Sequence, residues 1–125
     1  MRVTGEIKEK MVNVLGDAES QRILSLVVKE PLTTSKVATE LGLPVSTVYR
    51  KVGQMREAGL LLVDRFVFGA DGKREALYAC AFSEIRFKPG AEGLEVEVTF
   101  SQKALEKRWI DLLFSRPEEG PDWQP

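Results

Sequence analysis

The chain has 125 residues, one cysteine, no histidine and a net charge of −1, with 43% hydrophobic and 30% charged side chains. This is the composition of a single soluble globular domain that can fill a core, and no apolar run approaches the ~18 residues that a membrane helix needs. The start, "MRVTGEIKEK", has no apolar leader segment, and a lone cysteine forms no intrachain disulfide, so the expected compartment is reducing and cytoplasmic.

Ile7, Met11, Val12 and Leu15 recur at helical spacing, which predicts a short amphipathic helix in an N-terminal extension over 1–16. Gly16 breaks it. Asp17 can cap the next helix, with Glu19 in its first turn and Ile23, Leu24 and Val27 on its inner face. Pro31 ends that helix. Thr33 or Thr34 caps a third, with a buried stripe of Val37, Ala38 and Leu41, and Gly42 supplies a left-handed end. After the turn Leu43-Pro44, a fourth helix runs from about Val45 to Ala58 with Val48, Val52 and Met55 inward, and Gly59 closes it.

The period then changes to two. "LLLVDRFVF" and "EALYACAF" flank "GADGKR", whose Gly69, Asp71 and Gly72 are turn residues, so a β-hairpin follows. A second hairpin is expected over 84–100. Opposed residues share a face. Pairing Phe87 with Val96 and Ile85 with Val98 therefore gathers the apolar side chains, and it sets Lys88 against Glu95 and Arg86 against Glu97. Ser101 caps a last helix over roughly 102–115, and "RPEEGPDWQP" reads as a frayed tail over 116–125.

The fold class is therefore α+β: a winged helix-turn-helix over 17–82, then an additional β-hairpin and a C-terminal helix over 83–115. The spacing has physical reasons. Ala38 is small where two helices cross, Gly42 permits the turn, and Val48 anchors the following helix. The stretch from Asp17 to Tyr78, carried by "DAESQRILSLV", "LTTSKVATELGLPVSTVYRKVGQMREAGLL" and the wing "DGKREALY", resembles the ArsR-like winged-helix transcription regulators, particularly the archaeal members. The resemblance covers about half the chain. It implies a homodimer on a palindromic double-stranded DNA site, with the helix over 45–58 in the major groove and the wing on the backbone or minor groove. The metal-sensing branch of that family uses Cys and His ligands. With no histidine and Cys80 beyond the wing tip, no metal or other cofactor is expected.

Removing the inward positions from the helix over 45–58 leaves Ser46, Thr47, Tyr49, Arg50, Lys51 and Gln54 as candidate DNA contacts. Hydroxyls and free N–H groups in a first turn suit a phosphate. Arg50 suits a guanine edge and Gln54 an adenine edge. Lys51 reads as a phosphate contact, and Tyr49 as a residue that stacks on sugar or fills space beneath the wing. Arg65, Lys73 and Arg74 form the basic part of the wing. Charge supports the assignment: residues 36–74 carry seven positive and four negative side chains, whereas 75–125 carry six and ten.

Leu105, Trp109, Leu112 and Leu113 give the last helix an apolar side, expected to form a dimer contact unless the second hairpin, residues 84–100, lies back over the helix and buries the strip within one chain. No nucleophile–base pair or phosphate loop is present, and without histidine the commonest general base is missing, so enzyme activity is not expected. The rival reading is a winged-helix protein-interaction module that binds no DNA. Such a module would more often show apolar residues where this helix has Ser46, Thr47, Arg50 and Gln54.

Overall fold

The computed structural model describes residues 1–107. Four helices precede two hairpins. The helices are α1 (Gly5–Leu15), α2 (Ala18–Val27), α3 (Thr34–Leu41) and α4 (Val45–Glu57), and a short strand β1 (Arg2–Val3) comes before them. The first hairpin is β2 (Leu61–Phe68) with β3 (Arg74–Cys80), and the second is β4 (Phe82–Gly90) with β5 (Gly93–Phe100). The described chain closes with α5 (Gln102–Glu106). This is an α+β winged helix-turn-helix with an additional hairpin.

The helix ends follow local chemistry. Asp17 accepts a hydrogen bond from the Ser20 N–H, and Thr33 accepts one from the Lys36 N–H. Each satisfies a first-turn donor that the helix itself leaves open. Gly42 sits at φ +66° and hands α3 over to the turn, with the Leu43 N–H returning to the Ala38 carbonyl. A Cβ there would meet no atom within 4 Å, so only backbone strain opposes another residue. The second helix stops at Val27, earlier than the expected terminator Pro31.

Met11 and Val14 of α1, Ile23 and Val27 of α2, Val37 and Ala38 of α3, and Val48, Val52 and Met55 of α4 meet in one core, floored by Leu60, Leu61 and Leu62. The N-terminal segment therefore belongs to the packed fold: Val3 and Met11 are both buried. The strand β1 had no counterpart in the sequence reading. It pairs with β5 through Arg2 opposite Glu97 and Val3 opposite Val96, giving a three-stranded sheet in the order β1-β5-β4.

The register expected for the second hairpin is the one observed. Phe87 opposes Val96, Ile85 opposes Val98, Lys88 opposes Glu95 and Arg86 opposes Glu97. Lys88 lies 3.5 Å from Glu95, whereas Arg86 lies 3.9 Å from Glu84 on its own strand. Two details differ from expectation. The run "EALYACAF" is divided between two strands at Ala81, whose N–H donates to the Leu60 carbonyl while its carbonyl accepts from Ser101 N–H. The first hairpin also carries an irregularity between Val63 and Arg65. It frees Asp64 from the ladder, and Asp64 takes an ion pair of 2.9 Å from Lys103 of α5. That lysine holds the Asp64 carboxyl below its usual range.

Candidate nucleic-acid interface

The helix α4 is amphipathic for a simple reason. Its apolar residues fall at Val48, Val52 and Met55, all buried, and the helix is clamped on that side by α1, α2 and α3. The opposite side carries Ser46, Tyr49, Arg50 and Gln54, all exposed, with Thr47 half-buried. Among the described residues, the Arg50, Gln54 and Tyr49 side chains have no hydrogen-bond or ion-pair partner. Pro44 precedes the helix and offers no side-chain cap, so the donors of the first turn are not closed off by a neighbouring side chain.

Lys51 is a correction to the reading above. It is not on the open face: its side chain is 9% exposed, and its Nζ lies 2.7 Å from Asp17 Oδ2 and 3.6 Å from Glu19 Oε1. The lysine hydrogen bond, aided by two from Ser20, draws the Asp17 carboxyl down from 3.8 to about 2. Burial of an ammonium is tolerated only with such partners. A cationic side chain spent in this way does not reach a phosphate.

The wing presents its basic residues as expected: Arg65, Lys73 and Arg74 are exposed. Its turn is tied by the Lys73 N–H donating to Asp71 Oδ1 and by the Gly69 N–H donating to the Lys73 carbonyl. The Arg74 guanidinium lies 4.0 Å from the centre of the Phe66 ring, and Ser35 of α3 donates to Glu75 at 2.6 Å. The Ser35 bond thus fastens the wing to the helical body close to its tip. A cleft of about 310 Å³ lies between α4 and the wing, lined among others by Tyr49, Arg56, Phe66, Arg74 and Tyr78.

Residues 15–64 match a family model described as a helix-turn-helix domain. That match runs from the end of α1 into β2 and stops short of the wing tip. Among solved structures, the chain is similar to NolR from Sinorhizobium fredii, with 13% identity over 87% of this chain and 85% of that one and a TM-score of 0.42. It is also similar to HlyU from Vibrio cholerae N16961 in its reduced form, with 10% identity over 88% of this chain and 90% of that one and a TM-score of 0.41. Comparison with curated proteins returned no relative.

Sequence reasoning missed three features of this surface. The first is the Lys51–Asp17 link. The second is Arg56, whose guanidinium lies 5.7 Å from the centre of the Tyr78 ring at the wing root. The third is the exposure of Phe66 and Phe68, 51% and 79%, on which the hairpin reading was silent. Cys80 is half-buried, its thiol donates to the Phe82 carbonyl at 3.2 Å, and burial pushes its pKa up, which disfavours the reactive thiolate.

Of the residues expected at a dimer contact, Leu105 lies on α5 and is 52% exposed, while Ala104 beside it is buried. Trp109, Leu112 and Leu113 lie outside the described residues, as does most of the expected helix over 102–115. Among the described residues no cluster of His, Cys, Asp or Glu could hold a metal ion, and no helix is long and apolar enough to cross a membrane.

Proposed function

We propose that this protein is a sequence-specific DNA-binding transcription regulator that acts as a homodimer. The observation that carries this reading is the open face of α4. Ser46, Tyr49, Arg50 and Gln54 stand exposed and unpartnered on a helix whose other side is locked into the core. A helix of this kind fits the major groove, where arginine and glutamine read base edges in pairs of hydrogen bonds. Ser46 and Thr47 in the first turn serve a phosphate. The match of residues 15–64 to a helix-turn-helix domain supports the same reading.

In this proposal Lys73, Arg74 and Arg65 of the wing contact the backbone or the minor groove. Residues 75–125 carry ten negative against six positive side chains, and the second hairpin contributes Glu84, Glu92, Glu95 and Glu97, which disfavours wrong orientations on DNA. Two copies related by a two-fold axis would set their α4 helices ~34 Å apart, one DNA turn, as a palindromic site demands. In this proposal Leu105, exposed on α5, takes part in that contact.

The test is selection of bound duplexes from a random DNA pool at near-physiological salt. Enrichment of a palindrome supports the proposal. Recovery of no enriched sequence overturns it and favours the protein-interaction module.

A further inference from the structure

The wing carries two phenylalanines that the core does not use. Phe66 and Phe68 are two residues apart on β2, so both side chains leave the same face of the hairpin. Their register partners, Ala76 and Arg74, lie on that face as well. Phe66 lines the cleft that also holds Tyr49 of α4. The phenylalanine face is therefore the one turned toward the reading helix. Arg74 covers one side of the Phe66 ring. Phe68, at the last position of the strand, is 79% exposed and stands next to Gly69 at the tip.

Exposing a ring of this size to water is unfavourable, and the hairpin gains no packing from it. The surroundings indicate what would cover it. Arg56, Arg74 and Lys73 lie along this side of the wing or at its tip, and they outnumber the two carboxylates near the tip, Asp71 and Glu75, which accept hydrogen bonds from the Lys73 N–H and the Ser35 hydroxyl. An apolar ring framed by cations fits a polyanion that also offers apolar faces. Stacked bases behind a phosphate rail meet both conditions, and apolar side chains enter the minor groove between base steps where the stack opens easily.

Resting on the groove-reading proposal above, we infer that Phe68 is a wedge: it enters the minor groove beside the site read by α4 and bends the duplex there. Phe66, held beneath Arg74, supports the strand behind it. The wing then contributes to selectivity through deformability, favouring a flexible pyrimidine–purine step at the position it touches.

The experiment uses the full chain and a duplex recovered by selection from a random pool, labelled at its two ends for energy transfer. Wild-type protein at saturation is expected to raise transfer, reporting a bend of about 20–90°. Phe68→Ser should still bind but lose the bend, and Phe68→Leu, which keeps an apolar wedge, should restore it. Circular dichroism checks that each variant is folded. A bound duplex that stays straight with wild-type protein, or bends equally with Phe68→Ser, overturns the wedge while leaving groove reading intact, and points to a protein partner for the phenylalanine face. If no duplex is selected at all, both readings fall together.

Discussion

Lys51 Nζ and Asp17 Oδ2, separated by 34 positions in sequence, lie 2.7 Å apart and fasten α4 to the N-cap of α2. The same carboxylate caps α2 through the Ser20 N–H and also accepts from the Ser20 hydroxyl. One aspartate thus does two jobs, and the lysine is the only buried cation among the described residues. Removing Lys51 leaves its aliphatic stem's space in the core unfilled and takes a charge-assisted bond from the cap. Lys51→Ala is expected to lower the melting temperature, whereas Arg50→Ala one position away should barely move it. Thermal unfolding of the two variants side by side checks this. Equal melting temperatures would show that the link is idle.

The same pair sets an acid limit. The Asp17 carboxyl is held near 2 in the folded chain against an ordinary value of 3.8. A depressed carboxylate adds stability that is complete above its unfolded value and is lost as pH falls through the folded one. Asp17 therefore contributes at neutral pH, and its contribution fades between about 3.8 and about 2. Asp64, also lowered, adds a loss of the same sign. Urea unfolding from pH 6 to pH 2 should show a smaller drop for Asp17→Asn than for wild type. Parallel curves would contradict the assignment.

Base reading has its own signature. Arg50→Ala should weaken binding to the selected duplex by about 1–3 kcal/mol and relax preference at one base position. Its side chain is exposed and unpartnered, so stability should stay within about 0.5 kcal/mol of wild type. Repeating the pool selection with the variant reads the preference directly. An unchanged consensus at unchanged affinity would remove Arg50 from the interface.

Wing contacts are read through salt. Each phosphate neutralised on duplex DNA contributes about 0.9 to the slope of log affinity against log salt. Replacing Lys73 and Arg74 together by alanine should lower that slope by up to about 2. Titrations at several salt concentrations measure it, and an unaltered slope would place the wing off the DNA.

Assembly is tested at Leu105. Because this side chain is half-exposed on α5, Leu105→Glu should leave the protomer folded and push a dimer toward monomer. Sedimentation at micromolar concentration separates the outcomes. A wild-type monomer, or a variant dimer as firm as wild type, would rule out this contact.

Much of this surface could be read before the structure was known. Caps and the left-handed Gly42 are local chemistry, and the register of β4 on β5 follows from alternation alone, because a slip by one residue would expose Val96 and Val98. Lys51 was misplaced because its charge outweighed its position. It lies three residues after Val48 and four before Met55, inside the buried stripe, and the acids that neutralise it come from another helix. The irregularity at Asp64 and the exposure of Phe68 were hidden for a related reason. Both depend on how a strand leaves the ladder or the body, which periodicity does not encode. A two-residue strand such as β1 is too short to carry any pattern.

That short strand has a consequence for how the chain acquires its fold. Val3 finds its partner only at Val96, so the first strand closes a loop of nearly the whole described chain. Contacts of such range are slow to form, because the ordering of the intervening chain precedes any gain from them. During synthesis the helices α1 to α4 can collapse together as soon as they emerge, but the edge beside β5 does not exist until the second hairpin is made. Residues 2 and 3 can therefore pair only after the second hairpin has formed, and their pairing ties the N-terminus to that distal hairpin.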